Sequence, residues 1–318
     1  MQAGRTGDPP GRLTPWLLAS LLAYIAFVLW SDRNYAIGER LASSAWALAA
    51  VLPLVLLSFV IRYLRWHLLL NRMAHRTTLR AGLLPYLSGF ALTASPGKAG
   101  ELIRIRYFSR LGVGPDVTLA AFVYERASDL VVVLGLSMLV ASRVPAFAWV
   151  TGVILTIVIT IIALARMPRR LRFIRSQIFR IGPRWIARPA GIALQGLSRI
   201  QPLLGARTVL ESLLIGVVAW LLPSFAFVVL CISLGIELPL LVALGIYPAA
   251  MLIGALSFVP GGLGTTEAAT VLLLSGLGAA LPDSLAAALG IRLATLWFAM
   301  LVGACCVLAL DTPRRRKS

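Results

Sequence analysis

The chain alternates between long apolar runs and short polar segments, most of them basic. A bilayer crossing takes roughly 20 mostly apolar residues, and Leu13 to Trp30 is the first run that approaches this. It is longer than the core of a secretory signal, so a retained anchor is expected. A second run spans Ala45 to Ile61, with Pro53 a candidate kink. Val117 to Ala141, Ala146 to Ala165, Thr208 to Leu234 and Ser284 to Leu310 add four more. Two further apolar stretches are interrupted. Leu83 to Ala94 is too short to cross, and residues 240–281 are broken at Pro260-Gly261-Gly262-Leu263-Gly264. The pattern predicts an all-α integral membrane protein with six firm transmembrane helices and two re-entrant or broken helical hairpins, or eight spans by a generous count. Residues 13–310 form one membrane domain in this reading, between a disordered N-terminus at 1–12 and a basic tail at 311–318.

Charge orients these spans. There are 30 Lys+Arg against 12 Asp+Glu, a formal net charge of +18. Only 13% of residues are charged, against about a quarter in soluble domains. The basic residues sit beside apolar spans, as they do in cytoplasmic loops facing anionic headgroups, so nucleic-acid binding is not expected. Residues 62–110 hold Arg62, Arg65, Arg72, Arg76, Arg80, Lys98, Arg104, Arg106 and Arg110, with Glu101 the only acid. Residues 166–207 hold ten Arg and no acid, divided by Pro168, Pro183, Pro189 and Pro202. That loop is expected to carry amphipathic helix on the membrane surface. Placing the N-terminus inside puts both basic loops and the Arg314–Lys317 tail in the cytoplasm, and the near-neutral segments 31–44, 142–146 and 235–239 outside. Trp16, Trp30, Trp46, Trp66 and Trp149 lie near span ends, as aromatic belts do. Cys231, Cys305 and Cys306 lie in apolar runs without metal-ligand spacing, so buried, inert thiols are expected, with no metal and no cofactor.

The two interrupted segments resemble each other. One reads Pro96-Gly97-Lys98-Ala99-Gly100-Glu101 and the other Pro260-Gly261-Gly262-Leu263-Gly264-Thr265-Thr266-Glu267. Each follows an apolar run and precedes an Arg inside the next span. Glu101 to Arg126 and Glu267 to Arg292 are both 25 residues. Glu is scarce here, and so is Arg within a span, so an internal duplication accounts for the match better than chance. Three full crossings separate the copies, and an odd number inverts the second relative to the first. Inverted repeats with broken helices at corresponding positions mark many transporters, whose substrate site lies where the breaks meet.

Unwound backbone at membrane depth is tolerated only where protein or a water-filled cavity satisfies it. Glycines permit the sharp turns, and a half-helix starting after Pro-Gly aims its positive end at an anion. Glu101 and Glu267 are equally well explained as acids in a first helical turn. Glu125, Arg126, Asp129 and Arg292 are the sharper set, because a charge at the bilayer centre costs ~2.5–3.5 kcal/mol even on lenient scales. Glu125 and Asp129, four apart, share a helix face. They either line a pathway or lock two spans in an ion pair such as Glu125 with Arg292. Lys98 with Arg104 and Arg106 is a candidate phosphate collector, although positive-inside charge explains each of them singly.

These residues together resemble the lysylphosphatidylglycerol synthase transmembrane-region family. The resemblance rests on Pro96-Gly-Lys-Ala-Gly-Glu101, Glu125-Arg126-Ala-Ser-Asp129, Pro260-Gly-Gly-Leu-Gly-Thr-Thr-Glu267, and Arg292 with Thr295. It covers residues 10 to 310 approximately. The family includes the flippase-like membrane domain of the multiple peptide resistance factor and many stand-alone bacterial proteins. The resemblance implies lipid handling in a bacterial inner membrane. Its best understood member flips an aminoacylated phospholipid, and stand-alone members accompany hopanoid and polyprenyl-linked sugar pathways. No soluble aminoacyl-transfer domain follows Arg316, so synthase activity is not expected. Three functions stand open: a flippase for a lipid with an anionic or zwitterionic headgroup, a membrane glycosyltransferase, and an accessory subunit docking lipid-synthesis enzymes at its cytoplasmic face.

Overall fold

A computed structural model describes residues 13–141, 200–257 and 259–312, with isolated positions between 149 and 176. Apart from those positions, the expected fourth span and the basic loop as far as 199 lie outside the described residues, as do the N-terminal 1–12 and the tail from 313. Every regular element among the described residues is helical.

Helix α1 (Leu13–Tyr35) runs past its apolar stretch and hands over to α2 (Ile37–Ser43) at Ala36, whose φ is 49°. Residues 31–44, expected as a loop, are thus mostly helical. The reason is local: the Asp32 carboxylate accepts from the Gly38 N–H at 2.7 Å in the first turn of α2. Helix α3 (Ala45–Arg72) has 28 residues and is therefore about 42 Å long. It continues eleven residues beyond the apolar run that ended at Ile61. Helix α4 (Leu79–Ser88) is capped by Thr78, whose hydroxyl accepts from the Ala81 N–H. A tight turn at Gly89–Leu92, the break at Pro96–Ile103 and α5 (Arg104–Ser109) lead into α6 (Pro115–Ala141). After α7 (Ala206–Ser233) come α8 (Leu240–Leu256), the break at Pro260–Gly262, α9 (Thr265–Gly276) and a last helix, α10 (Leu281–Asp311). A π-turn at Leu293–Trp297 widens α10 just after Arg292.

Three of these helices, α3, α7 and α10, are long and apolar enough to cross a membrane. Helix α6 has the length but carries Glu125, Arg126 and Asp129 in its middle. Helix α7 packs along α3 and against α6 and α8, α8 against α6 and α9, and α10 against α4 and the 89–92 turn. Close approaches use small residues, as in other membrane bundles. A Cβ on Gly303 of α10 would collide with the backbone of Ala91. Outward faces carry exposed Leu56, Leu64, Leu214, Leu272 and Leu308, an apolar coat suited to lipid. Trp30, Trp46 and Trp149 are exposed as belt residues would be, but Trp66 is fully buried; the side chain of Trp16 lies outside the description. Among the cysteines, Cys231 and Cys306 are buried while Cys305 is exposed, because two adjacent helical positions cannot both face inward.

Candidate functional site

The site grows from two facing helices with complementary spacing. Helix α3 presents Ser58, Arg62, Arg65 and Trp66 on one buried stripe. Helix α6 answers with Glu125 and Asp129, one turn apart. Arg65, with no exposed surface, donates from Nη2 to Asp129 at 2.6 Å and to Glu125 at 3.4 Å. Arg62 donates to Asp129 at 3.2 Å and to the Ser58 hydroxyl at 3.3 Å, and lies 4.5 Å over the Trp220 ring. Both arginines were expected in a cytoplasmic loop. They are instead buried because α3 continues past its apolar run and finds two carboxylates opposite.

A second layer closes over Glu125. The Tyr86 hydroxyl donates to it at 2.6 Å. Arg104 stacks 4.1 Å over the Tyr86 ring and reaches Glu125 at 3.4 Å and Glu101 at 3.1 Å. Glu101 also accepts from the Thr93 hydroxyl at 2.8 Å. Arg104 is therefore an internal strut. Arg106, two residues on, is exposed and pairs with Asp311, so Lys98, Arg104 and Arg106 do not form one phosphate cluster. Successive residues of one helical turn cannot share a face.

The second break is organised around a single arginine. Arg292 donates from Nε to Glu267 at 2.8 Å and from Nη2 to the Gly261 carbonyl at 2.6 Å. Both Arg292 and Glu267 are buried. The ion pair considered between Glu125 and Arg292 does not form; each takes partners from its own half of the chain.

The two breaks touch. After their prolines, Gly97 (φ 58°) and Gly261 (φ 62°) both adopt left-handed backbone, which only glycine enters without strain. A Cβ placed on Gly261 would stand 3.0 Å from Ala94 Cα. Lys98, a non-glycine residue, is held at φ 56°, a conformation that costs a β-carbon residue of order 1–3 kcal/mol. Around this meeting point lie two adjoining cavities of about 90 and 240 Å3 that share Lys98, Arg126, Trp220, Met251 and Gly261 as walls. Both exceed the roughly 10–15 Å3 that one water needs. Arg62, Glu101 and Arg292 complete the first cavity, and Asp129, Gly262 and Thr266 the second.

Of the sequence-predicted residues, Lys98, Glu101, Arg126, Asp129 and Arg292 face these cavities, while Arg104, Glu125 and Glu267 stand behind them as ion-pair partners. Gly97, Gly261 and Gly262 are walls as well. Pro96 and Pro260 open the two turns, Gly264 (φ 80°) precedes α9, and the Gly100 N–H donates to the Ser95 hydroxyl at 2.6 Å. A family model for the lysylphosphatidylglycerol synthase TM region matches residues 16–303. The chain belongs to this family. No curated protein matches it. Membership of a lipid-associated membrane family covers nearly every element above, including both breaks and all the buried ion pairs. The residues missed in the sequence are Arg62, Arg65 and Tyr86. A detectable signal existed for the arginines: an i,i+3 basic pair in one span facing an i,i+4 acidic pair in another.

Proposed function

We propose that this chain moves a polar-headgroup lipid between the leaflets of a bacterial inner membrane, as a flippase-type transporter with no catalysis of its own. The observation that carries the reading is the meeting of the two breaks, with Gly261 against Ala94 and charged side chains around the space between them. Charges at membrane depth that face a water-sized cavity mark a substrate path. The anionic or zwitterionic headgroup enters between the breaks while the tails stay in lipid. In this reading the chain makes six crossings with two re-entrant hairpins, and both termini are cytoplasmic. The halves are inverted repeats, each contributing one Pro-Gly break, one Glu and one Arg. The basic segment 166–207 offers lipid-synthesis enzymes a docking surface at the cytoplasmic face.

A glycosyltransferase would need carboxylates free to bind metal or activate an acceptor on the outer side. This topology puts Asp32 and, at the start of α10, Asp283 on the outer side, and both are engaged structurally, Asp32 by the Gly38 N–H and Asp283 by Arg40. Reconstitution of the pure protein in liposomes tests the transport reading. Labelled phospholipids should exchange between leaflets, and exchange should fall at least about tenfold in Arg126→Ala, the loss of one charged contact, with the helical signal unchanged. Product from a polyprenyl-linked sugar, with no exchange of any lipid, would replace transport by catalysis.

A further inference from the structure

The charges around the breaks do not balance. The cavity walls carry Arg62, Lys98, Arg126 and Arg292 against Glu101 and Asp129, four cations and two carboxylates. Behind them stand Arg65 and Arg104, which share Glu125, and Glu267, which pairs with Arg292 of the wall. Six cations thus face four carboxylates, an excess of two positive charges, counted with lysine protonated. None of the other acids lies in the cavity walls. The sequence holds no Asp or Glu between Asp129 and Glu211, so the stretch 142–199 has no carboxylate to supply.

The excess is localised. Asp129 is shared among Arg62, Arg65 and Arg126, and Glu125 among Arg65, Arg104 and Arg126. Lys98 makes no ion pair or side-chain hydrogen bond among the described residues, although it sits in both cavities in a strained backbone conformation. The Arg126 side chain is 21% exposed to the cavity, against 2% for Arg292, and its buried Nε has no hydrogen-bond partner. Uncompensated charge at membrane depth is costly. The Lys98 N–H donates to the Ser95 carbonyl at 2.9 Å and holds the turn, but packing supplies no direct partner for the ammonium.

We infer that Lys98 and Arg126 form a binding site for a phosphate group carrying about two negative charges, such as the phosphomonoester end of a lipid. A phosphomonoester carries about −1.5 to −2 at neutral pH, which neutralises the excess. A phosphodiester brings a single charge, a zwitterionic headgroup none, and a lysyl-esterified headgroup adds positive charge to a site already positive. This deepens the transport reading, since it names the headgroup class, but its test does not require transport.

The experiment measures binding of the full chain to nanodiscs doped with phosphatidic acid, phosphatidylglycerol, phosphatidylethanolamine or lysylphosphatidylglycerol. The expected order of affinity is that order, with phosphatidic acid at least about tenfold above phosphatidylethanolamine, the size of one charged hydrogen bond. Lys98→Gln should erase the advantage of phosphatidic acid over phosphatidylglycerol at unchanged thermal stability. Arg106→Gln, which removes an exposed charge outside the cavities, should leave the order intact and so separates the site from general attraction to a basic surface. Glycerol 3-phosphate in detergent forms the second arm. Lys98-dependent binding in both arms assigns recognition to the phosphate itself, and in nanodiscs alone to a membrane lipid. Any other order of lipids, or an order that survives Lys98→Gln, overturns the inference. Leaflet exchange is read separately, so loss of transport with the binding order intact condemns only the transport reading.

Discussion

The two breaks have the same spacing and different electrostatics. At the second, Glu267 and Arg292 pair directly across 25 residues, and Arg292 also holds the Gly261 carbonyl. At the first, the equivalent residues do not pair with each other. Glu101 turns to Arg104 and Thr93, and Arg126 turns to Glu125 and Asp129. The difference comes from α3 and α5, which bring Arg62, Arg65 and Arg104 to the first break. Equal sequence spacing therefore does not dictate equal pairing. The second break is a closed strut, and the first is left with cationic groups facing the cavity.

Mutations on the two sides should separate accordingly. The largest effect is expected for Arg292→Gln, which strands buried Glu267 and frees the Gly261 carbonyl. Removing one partner of a buried pair costs about 3–5 kcal/mol, visible as a large drop in thermal midpoint in detergent. If Arg292→Gln melts like the parent, the second break is not a strut. Next comes Gly261→Ala, which forces a β-carbon into left-handed backbone and against Ala94. A cost of about 1–3 kcal/mol is expected, and an unchanged midpoint would mean the breaks pack more loosely than described. The smallest stability effect belongs to the open side. Lys98→Gly removes a strained residue without an ion pair and should not lower the midpoint, while it abolishes the preference for phosphatidic acid. A clear loss of stability would show that Lys98 is structural.

Much of this is legible in the sequence. The apolar runs at 45–61, 117–141, 208–234 and 284–310 each became a helix, and three of them, all but the charged 117–141, are long and apolar enough to cross a membrane. The two Pro-Gly breaks were readable because proline and glycine act locally. Arg62, Arg65 and Trp66 were not. Hydropathy falls where arginines enter α3, and the positive-inside rule assigns such residues to a loop. Only the carboxylates of α6, some 60 residues away, make their burial affordable. Arg104 and Arg106 illustrate the same limit: two residues apart, one is a buried strut and the other a surface charge, and only tertiary packing distinguishes them.

The central claim is that the two breaks meet and that a headgroup passes between them. A disulfide bridging them tests it most directly. The Ala94 Cβ lies 3.2 Å from a Cβ built on Gly261, close to the roughly 3.5–4.5 Å of disulfide-bonded cysteines. In a background with Cys231, Cys305 and Cys306 replaced by Ala, Ala94→Cys with Gly261→Cys should cross-link on mild oxidation. Leaflet exchange should then stop and return with reductant. Failure to cross-link, or full exchange in the cross-linked protein, would contradict the account.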